Sequence, residues 1–529
     1  MSEQLTIGVD IGTTNVKACV LDTSTGAVIA SAAAEHPLHH PHPGWAEQDP
    51  DRYWLAVAGC VASCVRQCPG GPSDIAAISL SGLVGVTLAV DRAGRPLRPA
   101  MIWMDARSDE QCDYIRERVG ERRVNEINGN RVAPWFIEPK LLWLRDHEPE
   151  VFAAIHKLLS PTGYCTHRLT GGYTINPGDA GLFYPYEHRV GQWHHELTED
   201  LGLRPEIYPD IHASDRIVGA VTEEAAAETG LRPGTAVVSG GTDIGCAALG
   251  AGVTDAGQAY YSMGTGSNLG VLVPREQRVD EYRILKWPHV IDSLTLFDAP
   301  MAFTGASLKW FRDKFADPEA VIAQRMGHNV FDLVTAQARQ VAPGADGLLY
   351  LPYLGNSLAP RWNTQACGAF FGVQPFSTRA HFIRALIEGV AYDLYSNVRI
   401  AEDAGVEFDE LILNGGPTKS ALWNQITANV TNRRLLLPDV DEAAPLGNAV
   451  VAAAGVGLYD DMRTPMKELA PIKDTVEPDA ALHEMYGEFF GLWQELYTEL
   501  EPTMSRHHAL AGRYSSPEPA AMSGAGGSS

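Results

Sequence analysis

Three stretches of this chain combine residue types and spacings that suit phosphate chemistry. In VDIGTTNVKACVLD (9–22) a carboxylate, Asp10, precedes a turn of Gly12, Thr13 and Thr14, and Lys17 follows on the return. GQAYYSMGTGSNLGVLV (257–273) repeats the pattern with Gly264, Thr265 and Gly266 at its tip. Phosphates bind where several N–H groups converge, and a Gly-Thr turn offers N–H and hydroxyl donors together. A tight turn without a ligand has the same composition, so one such hairpin leaves both readings open. Two of them about a domain apart favour a duplicated architecture with a phosphate site between the halves. No GxxxxGK[ST] motif is present, which excludes a P-loop. Asp10 is the natural carboxylate for a hydrated Mg²⁺ bridging the phosphates. The third stretch, TAVVSGGTDIGCAALGAG (235–252), places Asp243 after Gly240, Gly241 and Thr242. There it reads as a helix N-cap. It reads equally as a general base, taking a hydroxyl proton while that oxygen attacks a γ-phosphate in line. The two roles are compatible.

These residues need rigid elements behind them. LTIGVDIG, VKACVLD and AVIASAAAEH predict a three-stranded meander carrying the first turn. DPDRYWLAVAGCVASCVRQC predicts a helix with Asp49 as its cap and Pro50 inside its start. IAAISLSG reads as a buried strand, VTLAVDRAGRPLRPAMIW as a hairpin, and PEVFAAIHKLLSPTGYCTHRLTG as a helix interrupted near Pro161. The third stretch reads as strand, Gly-rich turn and small-residue helix. DELILNGGPTKSALWNQITANV reads as strand, Gly-Gly turn and helix, and PLGNAVVAAAGVGLY as a small-residue helix able to approach a backbone closely. The tail SSPEPAAMSGAGGSS is of low complexity and is expected to be disordered.

At 529 residues the chain exceeds one hydrophobic core, so two domains of comparable size are expected. The formal charge of −24 argues against nucleic acid or an anionic membrane as the main partner. No apolar run has membrane-span length, and the first residues lack a signal-peptide core. The eight cysteines lack CxxC spacing and read as reduced thiols of a cytoplasmic protein. Cys60, Cys64 and Cys68 share one helical face, which reads as packing. His36, His39, His40 and His42 alternate with prolines and read as an extended polar connection rather than a metal site.

Taken together, DIGTTNVKA, WMDARS, PKLLWLRDH, GGTDIG, SMGTGS, FTGASLKWFRD, LLYLPYLGNSLAPRWN, GAFFGVQPFSTRAHFIRALIEGVAYD and NGGPTKSALWNQITANV resemble the FGGY carbohydrate kinases of the actin-like ATPase superfamily. The resemblance runs from Leu5 to about Tyr459. It implies an α/β fold of two domains, each with an actin-like (ribonuclease H-like) core, and an active-site cleft between them. The implied division is an N-terminal domain over 1–252, a C-terminal domain over 253–505, and a tail over 506–529. The implied reaction is transfer of the ATP γ-phosphate, with Mg²⁺, to a sugar or polyol hydroxyl. By position, Asp243 is the base and Asp10 lies beside the metal. Gly12, Thr13, Thr14, Lys17, Gly264 and Thr265 serve the phosphates. Gly305, Lys309, Gly415, Gly416 and Ser420 serve the nucleotide. Leu83, Val84, Trp103, Asp105, Arg107, Trp135 and Asp179 are acceptor candidates, although Trp103 also suits a core and Asp105–Arg107 a structural ion pair.

Several positions depart from the family pattern. Leu83-Val84 replaces the Met-His usual in xylulokinases and the Arg-Glu of glycerol kinases. Ile244 stands where xylulokinases often carry Asn, Asn356 where Glu is usual, and Pro417 where Gly or Ala is common. Ile137 and Leu386 depart from the two family signatures. A ketopentose such as xylulose is the expected acceptor; another ketose, gluconate or a polyol is the alternative. The rival readings are a non-catalytic actin-like nucleotide-binding protein and a catalytically silent sugar sensor. A homodimer is the prior for such an enzyme.

Overall fold

The computed structural model describes residues 4–514 apart from 278 and 280. Two twisted sheets dominate it. In the first, the meander Leu5–Ile11, Asn15–Asp22 and Ala27–Glu35 forms one edge. Its apolar residues are the Val, Ile and Ala runs that favour pleated, half-buried strands. Strand Ile75–Gly82 pairs in parallel with Leu5–Ile11, Ala236–Thr242 pairs in parallel with Ile75–Gly82, and Ile217–Ala220 closes the far edge. The second sheet repeats the arrangement. Ala259–Met263 and Ser267–Pro274 form a hairpin, Glu410–Gly415 pairs in parallel with Ala259–Met263, and Arg434–Pro438 follows.

The small-residue helix does what its composition predicts. Ala443–Gly455 leaves the second sheet and crosses onto the first. A Cβ on Gly8 would lie 1.9 Å from the Pro445 carbonyl oxygen, and one on Gly447 would lie 2.1 Å from that of Cys246. Contacts this close admit no side chain, which is why the facing positions are glycines. Ala449, Val450 and Val451 of this helix share one apolar core with Leu249, Tyr260, Leu272 and Leu296, so the two halves are joined by packed hydrophobic surface. Separate cores lie beneath helix Pro50–Gln67 and within the second half.

The Asp49 cap is present, with its side chain accepting from the Asp51 N–H, and Cys60 and Cys64 are buried on that helix. Other expectations are corrected. Pro161 starts helix Pro161–Thr170 instead of interrupting one, because its missing N–H costs nothing in a first turn; strand Lys157–Leu159 precedes it. The hairpin expected in VTLAVDRAGRPLRPAMIW is reduced to isolated bridges, since Leu88–Val90 pairs with Lys157–Leu159 and Ala100–Met101 with Glu47–Gln48. Helix Ala480–Tyr514 includes residues 506–514 of the expected tail. The low-complexity stretch from 515 onward lies outside the described residues. Of the histidine run, His36 is buried.

Candidate active site

Asp10 sits near the end of its strand, opposite Lys17 in the antiparallel register. Ser81 Oγ, on the parallel neighbour, donates to Asp10 Oδ1 at 2.7 Å. Burial pushes the Asp10 carboxyl up to about 6, against the Ser81 hydrogen bond and the Lys17 charge. Lys17 itself is held at 2.7 Å by Glu442, at the start of the crossing helix. The structure therefore gives Lys17 a carboxylate partner, where a phosphate was expected. Behind Ser81 stands Asn448 of the crossing helix, fully buried, donating to Ser81 Oγ at 2.7 Å and to Val9 O at 3.0 Å.

Asp243 opens helix Asp243–Gly250, but the cap is Thr242, whose hydroxyl accepts from the Gly245 N–H at 3.0 Å. The expected N-cap role is corrected by one residue. The Gly-rich turn is also corrected: Gly240 and Gly241 continue the strand, through a register shift after Val238 that lets the chain swing directly into the helix. Freed from capping, Asp243 accepts, among the described residues, only the Ile244 N–H, at 2.8 Å. Its pKa is raised by burial first and next by the charge of Asp10, with Asp179 and Asp298 adding to the effect. Two half-buried carboxyls, Asp10 and Asp243, and two buried ones, Asp179 and Asp298, thus share one field. Asp179 accepts from Ser160 Oγ at 2.7 Å and from Asn176 Nδ2 at 2.8 Å, yet burial holds it at about 7. Asp298 accepts from Trp287 Nε1 at 3.1 Å and is likewise pushed up to about 7 by burial. Among the described residues, Asp179 Oδ1 and Asp298 Oδ1 are buried without a hydrogen-bond partner.

Several of the residues expected to serve the nucleotide come together. The Gly305 N–H donates to Gly264 O at 3.0 Å, and a Cβ on Gly305 would lie 2.3 Å from that oxygen. Gly415, at φ +105, brings the end of its strand within 2.0 Å (Cβ position) of Met263 O. Pro417 Cγ lies 3.8 Å from the Gly305 Cβ position, so the hairpin, helix Gly305–Phe315 and the Gly-Gly turn meet at one point. Gly416 opens a 3₁₀ turn with space around its α-carbon. Lys309 is exposed one turn along from Gly305. Ser420 caps helix Ala421–Thr431, accepting from the Trp423 N–H at 3.4 Å.

The acceptor candidates divide. Leu83, Trp103 and Trp135 converge through Gly85, where a Cβ would lie 2.8 Å from Trp135 O and 3.0 Å from Trp103 Cβ. Leu83 is buried, its N–H on Ile11 O at 2.8 Å, and Val84 is half-buried beside it. Trp103 is 37% exposed and donates to Thr13 Oγ1 at 3.4 Å, linking this wall to the first hairpin. Trp135 stacks on Trp362, from the second half, with ring centroids 4.9 Å apart. Asp105 and Arg107 form an ion-pair network of their own, near enough to Lys140 for both charges to act on it. Asp105 accepts from Arg107 and from the Ala46 N–H, while the Arg107 guanidinium lies 3.4 Å over Trp45 and pairs with Glu47. Both side chains are buried, as a structural ion pair requires. Among the departures, Ile137 and Leu386 are packed in cores, and Asn356 Oδ1 is buried without a partner.

Sequence reasoning missed Ser81, Asn448, Asp298 and Lys140. Asp298 interrupts the apolar strand Leu294–Met301, and that interruption was the available signal. Lys140 lay inside a quoted motif. Its ammonium donates to Gly85 O at 2.8 Å and Trp135 O at 2.9 Å, tying the acceptor wall together, and burial lowers it to about 7.

Comparison with known proteins agrees with this geometry. Residues 5–250 match the FGGY family of carbohydrate kinases, N-terminal domain, and residues 259–456 match its C-terminal domain. The chain belongs to the FGGY family of carbohydrate kinases. It is therefore a phosphotransferase acting on a small sugar-like alcohol. Xylulose kinase of Staphylococcus epidermidis is 30% identical, over 94% of this FGGY chain and 97% of the relative. Autoinducer-2 kinase of Klebsiella pneumoniae is 30% identical over 93% of each. The solved xylulose kinase of Rhodospirillum rubrum superposes with a TM-score of 0.84 at 31% identity, covering 95% of this chain and all of that one. That likeness extends across both halves and gives the two-domain α/β fold.

Proposed function

We propose that this FGGY kinase transfers the γ-phosphate of ATP to a hydroxyl of a ketopentose such as xylulose, with Asp243 as general base. The observation that carries the reading is Asp243 itself. It is a half-buried carboxyl at a strand-to-helix junction, with one backbone donor, in the field of Asp10, Asp179 and Asp298. A raised pKa brings a carboxylate closer to the operating pH, which suits proton abstraction. ATP lies with its phosphates between the Gly12–Thr14 and Gly264–Gly266 hairpins and its nucleoside beside Gly305, Gly415, Gly416 and Lys309. The acceptor lies against Leu83, Val84, Trp103 and Trp135, with Asp179 turned toward it by Ser160 and Asn176. In this reading 1–252 is the acceptor domain and 253–505 the nucleotide domain.

Mg²⁺ supplies neutralisation of the phosphate charge when bound. Asp10 fits it, because an ion held mainly by phosphates and water needs only one or two protein carboxylates. The chain's own part is to position the groups, to exclude water and to take the proton at Asp243. Its eight free cysteines, seven of them buried, suit a reducing compartment, and a cytoplasmic location is proposed on that ground.

A second acceptor class has one specific support. Leu83 and Val84 give that wall no polar side-chain atom, so a ketose, a sugar acid or a polyol with fewer hydroxyls at that end is the alternative. A coupled ADP-release assay over ketoses, polyols and aldonates tests both. Xylulose giving the highest kcat/KM supports the first choice, another substrate supports the second, and no sugar-stimulated ADP release anywhere in the panel contradicts the kinase assignment.

A further inference from the structure

The first hairpin has a support that its own sequence does not contain. His36, at the start of the histidine run, folds beneath the tip; its Nε2 lies 2.9 Å from Gly12 O. Gln48 lies beside it, and its Nε2 donates to Thr13 O at 2.7 Å. Both side chains are buried. A carbonyl oxygen only accepts, so His36 Nε2 carries the hydrogen. His36 Nδ1 then accepts from Gln48 Nε2 at 3.2 Å. The Gln48 amide has one consistent orientation, because its Oε1 accepts from Tyr53 OH at 2.6 Å. Burial lowers the His36 pKa and so favours the neutral ring this pattern requires.

The consequence follows from peptide geometry. The C=O of one residue and the N–H of the next belong to one planar trans unit and point in opposite directions. Drawing Gly12 O and Thr13 O inward therefore turns the Thr13 and Thr14 N–H groups outward. Among the described residues neither N–H has a partner within the protein, and Thr14 is exposed.

We infer that His36 and Gln48 are positioning residues of this kinase: by holding two consecutive carbonyls from beneath, they aim the Thr13 and Thr14 N–H groups at the nucleotide phosphates. The inference rests on the reading of the hairpin as a phosphate site. It also gives the histidine run a role that metal binding does not.

The test compares ATP with adenosine, because a positioning role acts only on the phosphates. Isothermal titration of wild type, His36→Leu, His36→Gln and Gln48→Leu with each ligand supplies the readout, with thermal melts to establish folding. Hydrogen bonds to charged groups contribute about 1.5–3 kcal/mol each, so misdirecting them weakens ATP by about tenfold or more. His36→Leu and Gln48→Leu are expected to show that loss with adenosine binding unchanged. His36→Gln is expected to recover part of it, since its amide still donates to Gly12 O. Equal loss of ATP and adenosine, or ATP binding at wild-type strength in whichever of the two leucine variants folds, overturns the inference. Thr14→Asp separates the underlying reading. A carboxylate at a phosphate-facing tip repels ATP, so if Thr14→Asp binds ATP normally, the hairpin is not a phosphate site. If Thr14→Asp loses ATP while the leucine variants do not, only the inference fails.

Discussion

The two proposed phosphate hairpins reach the same shape by different means. At the second, the carbonyls of Gly264 and Thr265 accept from the Gly305 and Ala306 N–H groups, at 3.0 and 2.9 Å. These are first-turn donors of helix Gly305–Phe315, which have no partners within their own helix. At the first, the equivalent carbonyls accept from side chains, His36 and Gln48. Gly264 and Thr265 are held by backbone donors, whereas Gly12 and Thr13 are held by an imidazole and an amide and, among the described residues, only Thr14 O takes a backbone N–H, that of His36. Backbone support cannot be mutated away directly and does not titrate, but it needs a glycine where the helix touches the turn. Side-chain support leaves the backbone free, so the first hairpin also accommodates Asp10 and its link to Ser81. The comparison teaches that one outcome, outward-facing N–H groups, places very different demands on the two sequences.

The largest expected break lies between the hairpins. Asp243→Ala is expected to lower kcat by roughly 10²–10⁴, as for loss of a general base, with ATP affinity retained because both turns remain intact. Steady-state kinetics with ATP titration checks it, and near-normal turnover contradicts it. Next is the glycine that the second hairpin requires. Gly305→Val drives its Cβ against Gly264 O, and overpacking of this kind costs about 1–3 kcal/mol. A lower melting temperature and at least several-fold weaker ATP binding are expected, whereas unchanged ATP binding would mean that the turn does not depend on the helix.

A smaller effect concerns the buried acids. Folded Asp298 holds its proton up to about pH 7, whereas in the unfolded chain it ionises near pH 4. Its contribution to stability is therefore full below about pH 4 and is lost as pH rises toward 7. Asp298→Asn stays neutral throughout, so it should melt above wild type at pH 8, with the gap closing toward pH 5. A gap that ignores pH would exclude an ionising Asp298. The smallest effect is expected at Lys17. Its bridge to Glu442 is 41% and 49% exposed at its two ends, and such pairs are worth about 0–1 kcal/mol. Lys17→Met should change melting and ATP affinity little, and a large selective loss of ATP binding would return the lysine to the phosphates.

Much of this was legible in the sequence because it is local. The meander, both hairpin tips, the Asp49 cap and the close-packing helix each announce themselves within a few residues. Glycine repeats and alternating apolar runs carry that information. What was not legible depends on distant pairings. Asn448 reaches Ser81 and Val9 across most of the chain, and Lys140 finds Gly85 only once the loops are folded. His36 read as part of an extended polar connection because its prolines and sister histidines look alike, although it is the one drawn beneath the turn. Thr242 took the cap from Asp243 because the strand runs through both glycines to Thr242 instead of turning at them. Asp105 and Arg107 carry the residue types of a binding pair, and their burial against Trp45 could not be read from the sequence.

The central claim is that a single polyphosphate spans both hairpins. Thr14 and Thr265 are the exposed tip residues, one from each half. The direct measurement is the ATP dissociation constant of Thr14→Asp, Thr265→Asp and the double variant, set against adenosine for each. Each single change is expected to weaken ATP but not adenosine, and the double change to weaken it further. Wild-type ATP affinity in either single variant would contradict the claim.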